Sequence, residues 1–244
     1  MAASSSTSAR RIANRERLIF ALDVPDLKGA QRLVEQLGDA VVFYKIGLEL
    51  ATSRHYFELL DWLVARDKKV FTDLKLYDIP ATVTAAVRQL SKSGASFLTV
   101  HGDRAIMEAA ALARGPDLKI LVVTVLTSIA PHDLAEMGIG LPVEELALLR
   151  ARQAAAAGCD GVIASGLEAK ALRRALGAGP LIVTPGIRPA TPTAVTDDQR
   201  RVVTPTLALE AGADYLVVGR PIRNAADPYR AAAAIQEEIA RASR

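Results

Sequence analysis

The sequence predicts a single (β/α)8 barrel of the TIM type. Three observations carry that expectation. Eight short apolar, often β-branched runs recur along the chain, and segments of helical periodicity separate them. No linker divides the 244 residues, a length close to the typical barrel of about 250.

The runs come in order as "RLIFALDV" (17–24), "VVFYKIGL" (41–48), "KVFTDLKL" (69–76), "SFLTVHG" (96–102), "KILVVTVL" (119–126), "GVIASG" (161–166), "LIVTPGI" (181–187) and "YLVVGR" (215–220). Between them, "LKGAQRLVEQLG" (27–38) sets Ala30, Leu33, Val34 and Leu37 on one helical face. "IPATVTAAVRQLSKSG" (79–94) reads as a helix with Pro80 in its first turn and Gly94 at its stop. "VEELALLRARQAAAAG" (143–158) and "DPYRAAAAIQEEIARAS" (227–243) behave likewise. An open doubly wound sheet is the competing architecture. It favours a glycine-rich phosphate loop after the first strand, and "LDVPDLKGA" has no G-x-G-x-x-G spacing. Two long connections, 127–142 and 188–205, follow strands five and seven, on the face where barrel sites form.

Composition narrows the function classes. Half the residues are hydrophobic, enough for a large core, yet the longest apolar runs are strand-sized and too short for a membrane span. The single cysteine, Cys159, excludes an internal disulfide framework and a cysteine-built metal site, and fits a cytoplasmic setting. The net charge of +3 comes entirely from residues 1–17, where four arginines face one glutamate. The remainder is neutral, with no basic patch of the kind nucleic acid requires. Residues 1–16 are expected to be a disordered tail and 17–244 the catalytic barrel.

In a parallel barrel all strand carboxyl ends meet on one face. The polar residues there are Asp23, Lys45, Asp73 and Lys75 with Asp78 beyond, His101, Thr127 and Ser128, Ser165, Gly186 and Arg188, and Gly219 and Arg220. Singly, each has a bland reading: an aspartate as a turn former, His101 as a structural histidine, Cys159 as a small core residue, the arginines as helix caps. Their co-occurrence argues otherwise. Period-two geometry puts Asp73 and Lys75 on one face, with Lys45 on the neighbouring strand. Lysines interleaved with aspartates stay charged, which suits an acid or cationic stabiliser and not a Schiff-base nucleophile. Opposite them, "GIR" and "VGR" offer guanidinium forks and glycine-freed amides to a phosphate.

Taken together, "LDV" (22–24), "YKIGLEL" (44–50), "DLKLYDIPATV" (73–83), "LTS" (126–128), "PGIR" (185–188), "DDQRRVVTP" (197–205) and "VGR" (218–220) resemble the bacterial orotidine 5′-monophosphate decarboxylases, in order over residues 17–225. The resemblance implies decarboxylation of orotidine 5′-monophosphate (OMP) to UMP and carbon dioxide in pyrimidine biosynthesis, with no metal or cofactor. It implies Lys75 as proton donor within an array completed by Lys45, Asp73 and Asp78. Asp23 and Lys45 would contact the ribose and Thr127 would lie near substrate. Arg188, Gln199, Gly219 and Arg220 would hold the phosphate. Ser165 or Ser128 would meet the pyrimidine edge, the choice left open. It further implies a homodimer in which Asp78 and Thr82 enter the neighbour's site. Two rivals remain at this stage. A magnesium-dependent sugar-phosphate enzyme of related fold conflicts with the ammonium of Lys45, and a non-catalytic phosphate-binding barrel would not require the array.

Overall fold

The computed structural model describes residues 12–189 and 202–243. Among them, eight parallel strands close a barrel in sequence order: β1 (Leu18–Ala21), β2 (Phe43–Ile46), β3 (Lys69–Leu76), β4 (Phe97–Val100), β5 (Lys119–Val123), β6 (Gly161–Ile163), β7 (Leu181–Thr184) and β8 (Tyr215–Val218). Each pairs with the next, and β8 returns to β1. The expected barrel is therefore the observed one.

Side-chain alternation divides the strands into two surfaces. Leu18, Phe20, Tyr44, Ile46, Leu216 and Val218 face outward into a core shared with the helices. Phe43, Phe71, Phe97, Leu181 and Tyr215 face inward and fill the lower barrel. The rings of Phe43 and Phe97 lie 4.9 Å apart, and those of Phe97 and Tyr215 5.1 Å apart in edge-on geometry. On β6 the interior is tight: a Cβ at Gly161 would strike the carbonyl of Leu181.

The helices follow the capping logic of their sequences. Asp26 caps Leu27–Leu37 by accepting from the Gly29 N–H at 2.7 Å, and Ala30, Val34 and Leu37 are buried. Pro80–Leu90 and Pro228–Ala242 both begin on proline, the latter capped by Asp227. No helix among the described residues is long and apolar enough to cross a membrane.

Two expectations shift. The barrel was expected to begin at residue 17, yet the chain is built into it from Ile12. Ile12 is buried with the interior residues at the amino end. The turn Asn14–Arg17 is fixed by Glu16 on Lys69 (2.6 Å) and by Arg17 donating to the Asp214 carbonyl (3.0 Å). An apolar residue that stoppers an open barrel end removes apolar surface from water, which composition alone does not reveal. Residues 1–11 of the expected tail lie outside the described residues. Most strands also end two or three residues earlier than the apolar runs suggested. Asp23, His101, Thr127, Arg188 and Arg220 thus sit just past the ladders, in the loops above them.

Candidate active site

The site grows from the mouth ends of β1, β2 and β3. One step up from Phe43 and Phe71, the inward positions are Lys45 and Asp73. Lys45 Nζ lies 3.2 Å from Asp23 Oδ1 and 3.4 Å from Asp73 Oδ2, and Lys75 Nζ lies 2.8 Å from Asp73 Oδ1. Charges therefore alternate as Asp23, Lys45, Asp73, Lys75. The central pair is nearly enclosed, with side-chain exposures of 12% and 13%, while Asp23 and Lys75 open toward solvent.

β3 is distorted where it supplies Lys75. Its register against β4 shifts between Thr72 and Leu76, and Lys75 has φ of +49°. Such a conformation is uncommon outside glycine and costs about 1–3 kcal/mol. Thr99 on β4 holds the distortion. Its hydroxyl accepts from the Lys75 N–H at 3.0 Å and donates to Asp73 Oδ1 at 2.8 Å. One buried side chain thereby fixes both the strained backbone and the carboxylate beside it.

The pairing sets the charge states. Burial pushes the Lys45 ammonium toward deprotonation, but Asp73 and Asp23 more than offset it and raise its pKa. Burial likewise pushes the Asp73 carboxyl up, but Lys45 and Lys75 and the bonds from Lys75 and Thr99 hold it below the ordinary aspartate range. The two enclosed ions, Lys45 and Asp73, thus keep each other charged.

This array forms one side of a cleft of about 490 Å³. Phe71 lies beneath it, and Val123, Val125 and Ile163 form an apolar wall. Arg188, Arg220 and Arg223 line the same cleft, with Gly186 and Gly219. Gly186 has φ of +77°. A Cβ at Gly219 would lie 3.2 Å from that of Ala21, so glycine lets β8 close against β1 beneath the site. The cleft thus combines a charge-alternating array, three arginines and an apolar wall, the right size for a small anionic ligand.

The structure brings together Asp23, Lys45, Asp73, Lys75, Thr127, Arg188, Gly219 and Arg220 of the expected residues. It does not bring Asp78 or Thr82 into this chain's cleft. Both are exposed, and Asp78 Oδ1 accepts from the Ile79 N–H at 2.6 Å. Gln199 lies outside the described residues. Ser165 is buried as a helix cap, its Oγ accepting from the Leu167 N–H at 3.2 Å while Glu168 accepts from its own N–H at 3.0 Å. It does not line the cleft, and neither does exposed Ser128. His101 is half-buried, its ring 5.7 Å from that of Tyr77. Cys159 is buried, and burial pushes its thiol up to about 12. No cluster of three metal-ligating side chains occurs among the described residues. Thr99 and Arg223 are the site residues that sequence reasoning missed. Inward alternation from Phe97 signals Thr99, and the three-residue step from Arg220 signals Arg223.

Comparison with known proteins follows this geometry. A family model described as orotidine 5′-phosphate decarboxylase / HUMPS family matches residues 16–235. An orotidine 5′-phosphate decarboxylase of Methylococcus capsulatus is 56% identical over 224 residues, covering 92% of each chain. One from Stenotrophomonas maltophilia is 56% identical over 228 residues, covering 93% of this chain and 94% of its own. Among solved structures, orotidine 5′-phosphate decarboxylase from Lactobacillus acidophilus superposes with a TM-score of 0.80 at 37% identity, over 92% of this chain and 99% of that one. The enzyme from Pyrococcus horikoshii gives 0.71 at 27% identity, over 91% and 99%.

Proposed function

The chain belongs to the orotidine 5′-phosphate decarboxylase / HUMPS family and is a carboxy-lyase, and from that premise we propose that it converts OMP to UMP and carbon dioxide with its own side chains alone. The carrying observation is the unbroken line Asp23–Lys45–Asp73–Lys75 sharing one cleft with three arginines. The phosphate seats on Arg188, Arg220 and the backbone at Gly219, where planar guanidiniums suit its oxygens. Asp23 and Lys45 take the ribose, which sets the pyrimidine C6 beside Lys75. Losing carbon dioxide leaves the electron pair of the broken bond on C6, and the ring has no sink for it. The Lys75 ammonium stabilises that charge electrostatically and then passes a proton to C6. Asp73 holds Lys75 in place and faces the departing carboxylate. Binding energy from the remote phosphate is available to organise the site around the reacting centre.

The donor set supports chemistry without a metal. Lys45 Nζ lies within 3.4 Å of both Asp23 and Asp73, filling the space a cation bridging those carboxylates would need. Full activity after exhaustive EDTA treatment is expected; dependence on added magnesium would favour a sugar-phosphate reaction of related barrels. The working unit is a homodimer, in which Asp78 and Thr82 complete the neighbour's array and lie on the surface of a lone chain for that reason. The setting is cytoplasmic.

The deciding experiment follows the ultraviolet absorbance of OMP with wild-type protein and Lys75→Ala. Wild type consumes OMP. The variant is folded and loses at least about 10⁴-fold in turnover, since it lacks both proton donor and charge stabiliser. Near-normal UMP formation by Lys75→Ala would sink the assignment.

A further inference from the structure

We propose that Arg223 is a positioning residue that couples the phosphate end of the cleft to Asp23. The proposal rests on the decarboxylase reading. Arg223 closes the one-turn helix Arg220–Arg223, which Gly219 begins at the end of β8. The Arg223 N–H donates to the Gly219 carbonyl at 3.0 Å, and both arginines line the cleft at a spacing that puts them on one helical face. Their tasks differ. Arg223 Nη1 donates to the backbone carbonyl of Asp23, two hundred residues away in sequence, and its Nε donates to Asn224 Oδ1 at 3.3 Å.

The place of that bond gives it consequence. The β1–β2 ladder ends with the Leu22 N–H on the Lys45 carbonyl at 2.9 Å. Asp23 is the next residue, beyond the strand, and its side chain is the outermost anion of the array. Its carboxylate must stay 3.2 Å from Lys45 Nζ while its backbone leaves the sheet. Arg223 supplies the tie at that point. The neighbourhood is close-packed: a Cβ at Gly47 would lie 3.0 Å from Lys45 Nζ, and one at Gly219 3.2 Å from the Cβ of Ala21. A charged donor to a backbone carbonyl is among the stronger hydrogen bonds. The helix that presents Gly219 and Arg220 to the phosphate therefore also fixes Asp23, and seating the anion on it steadies the adjoining array.

A double-mutant cycle separates this role from direct substrate binding or general stability. Turnover of OMP and calorimetric affinity for UMP are measured for wild type, Arg223→Met, Arg223→Lys, Asp23→Ala and Arg223→Met/Asp23→Ala. If Arg223 acts through Asp23, Arg223→Met loses about 10-fold or more in kcat/KM in the wild-type background and less than about 3-fold when Asp23 is alanine. Arg223→Lys, which still offers a donor, recovers most of the loss. Equal losses in both backgrounds, or no loss at all, would overturn the proposal, because Arg223 would then act on the ligand directly or not at all. Should Arg223→Met fail to fold, the cycle is run with Arg223→Gln and read by the same criterion. Wild-type protein that neither consumes OMP nor binds UMP would overturn the decarboxylase reading and this inference together. An active wild type with additive losses overturns this inference alone.

Discussion

The floor and the mouth of the barrel interior are made by the same strands, two residues apart. β2 gives Phe43 to the floor and Lys45 to the mouth, β3 gives Phe71 and Asp73, and β4 gives Phe97 and Thr99. The floor is a cluster of rings and aliphatic chains buried on every side. The mouth is a line of ions whose two enclosed members hold each other charged. On the proposed reading, a step of one alternation moves from residues whose substitution should cost folding to residues whose substitution should cost chemistry, in line with the general division of barrels into a stabilising bottom and a catalytic top.

The sharpest break in that comparison is Asp73→Asn. Turnover of OMP should fall by about 10³-fold or more, because the anion that places both lysines is gone. Acid unfolding carries a second signature. The folded Asp73 pKa is depressed, so its contribution to stability is fully present above the ordinary aspartate value of about 3.9 and is lost as pH falls from there through the folded value. Thermal melts of wild type should show that acid-side loss, and the variant should lack it. An Asp73→Asn enzyme with wild-type turnover would erase the distinction between mouth and floor.

At the floor, Phe97→Ala should show the converse. Phe97 packs against the rings of Phe43, Phe71 and Tyr215. Truncation should cost about 3–5 kcal/mol, with Tm falling by about 6–20 °C. The protein that remains folded should keep its KM within about 3-fold. A melt within a degree or two of wild type would show that the floor is not a stabilising layer.

The smallest effect concerns His101, just past the mouth end of β4. Burial, then Arg150 and Lys75, lower its pKa. On acidification the unfolded chain takes up this proton first, so stability declines as pH falls below about 6.5 toward the folded value. His101→Gln should remove that decline, a difference of roughly a degree or two in Tm between pH 7 and pH 5. Identical pH slopes for the two proteins would remove His101 from the account.

The floor and most of the mouth were legible in the sequence for one reason. Strand alternation is local, and once "FTDLKL" is a strand, Phe71, Asp73 and Lys75 share a face. The strand-end rule then gathered Asp23, Lys45, Arg188 and Arg220 without any knowledge of register. What escaped depends on contacts between distant segments. Thr99 matters because β4 lies beside the shifted stretch of β3, and no property of "SFLTVHG" announces that shift. Arg223 reaches the Asp23 carbonyl over the seam where β8 meets β1, two hundred residues apart in sequence. Ser165, which the resemblance offered with Ser128 as a pyrimidine contact, stands three residues before Glu168 and caps the following helix, a pattern also readable in the sequence. Ile12 was assigned to the tail because it stands alone among serines and arginines. Its partners are the inward residues of strands far along the chain.

Lys75 leaves one more consequence. Its backbone angle is one that glycine adopts freely and lysine does not, so at this position the wishes of the main chain and of the reaction name different residues. Thr99 and the ion pair with Asp73 keep the lysine where it is. A glycine at position 75 would relieve the backbone but also leave Asp73 without one of its two ammonium partners, so melting temperature alone is a poor guide at that position. Any programme to harden this protein needs an activity screen at that codon, since there the backbone and the chemistry pull in opposite directions.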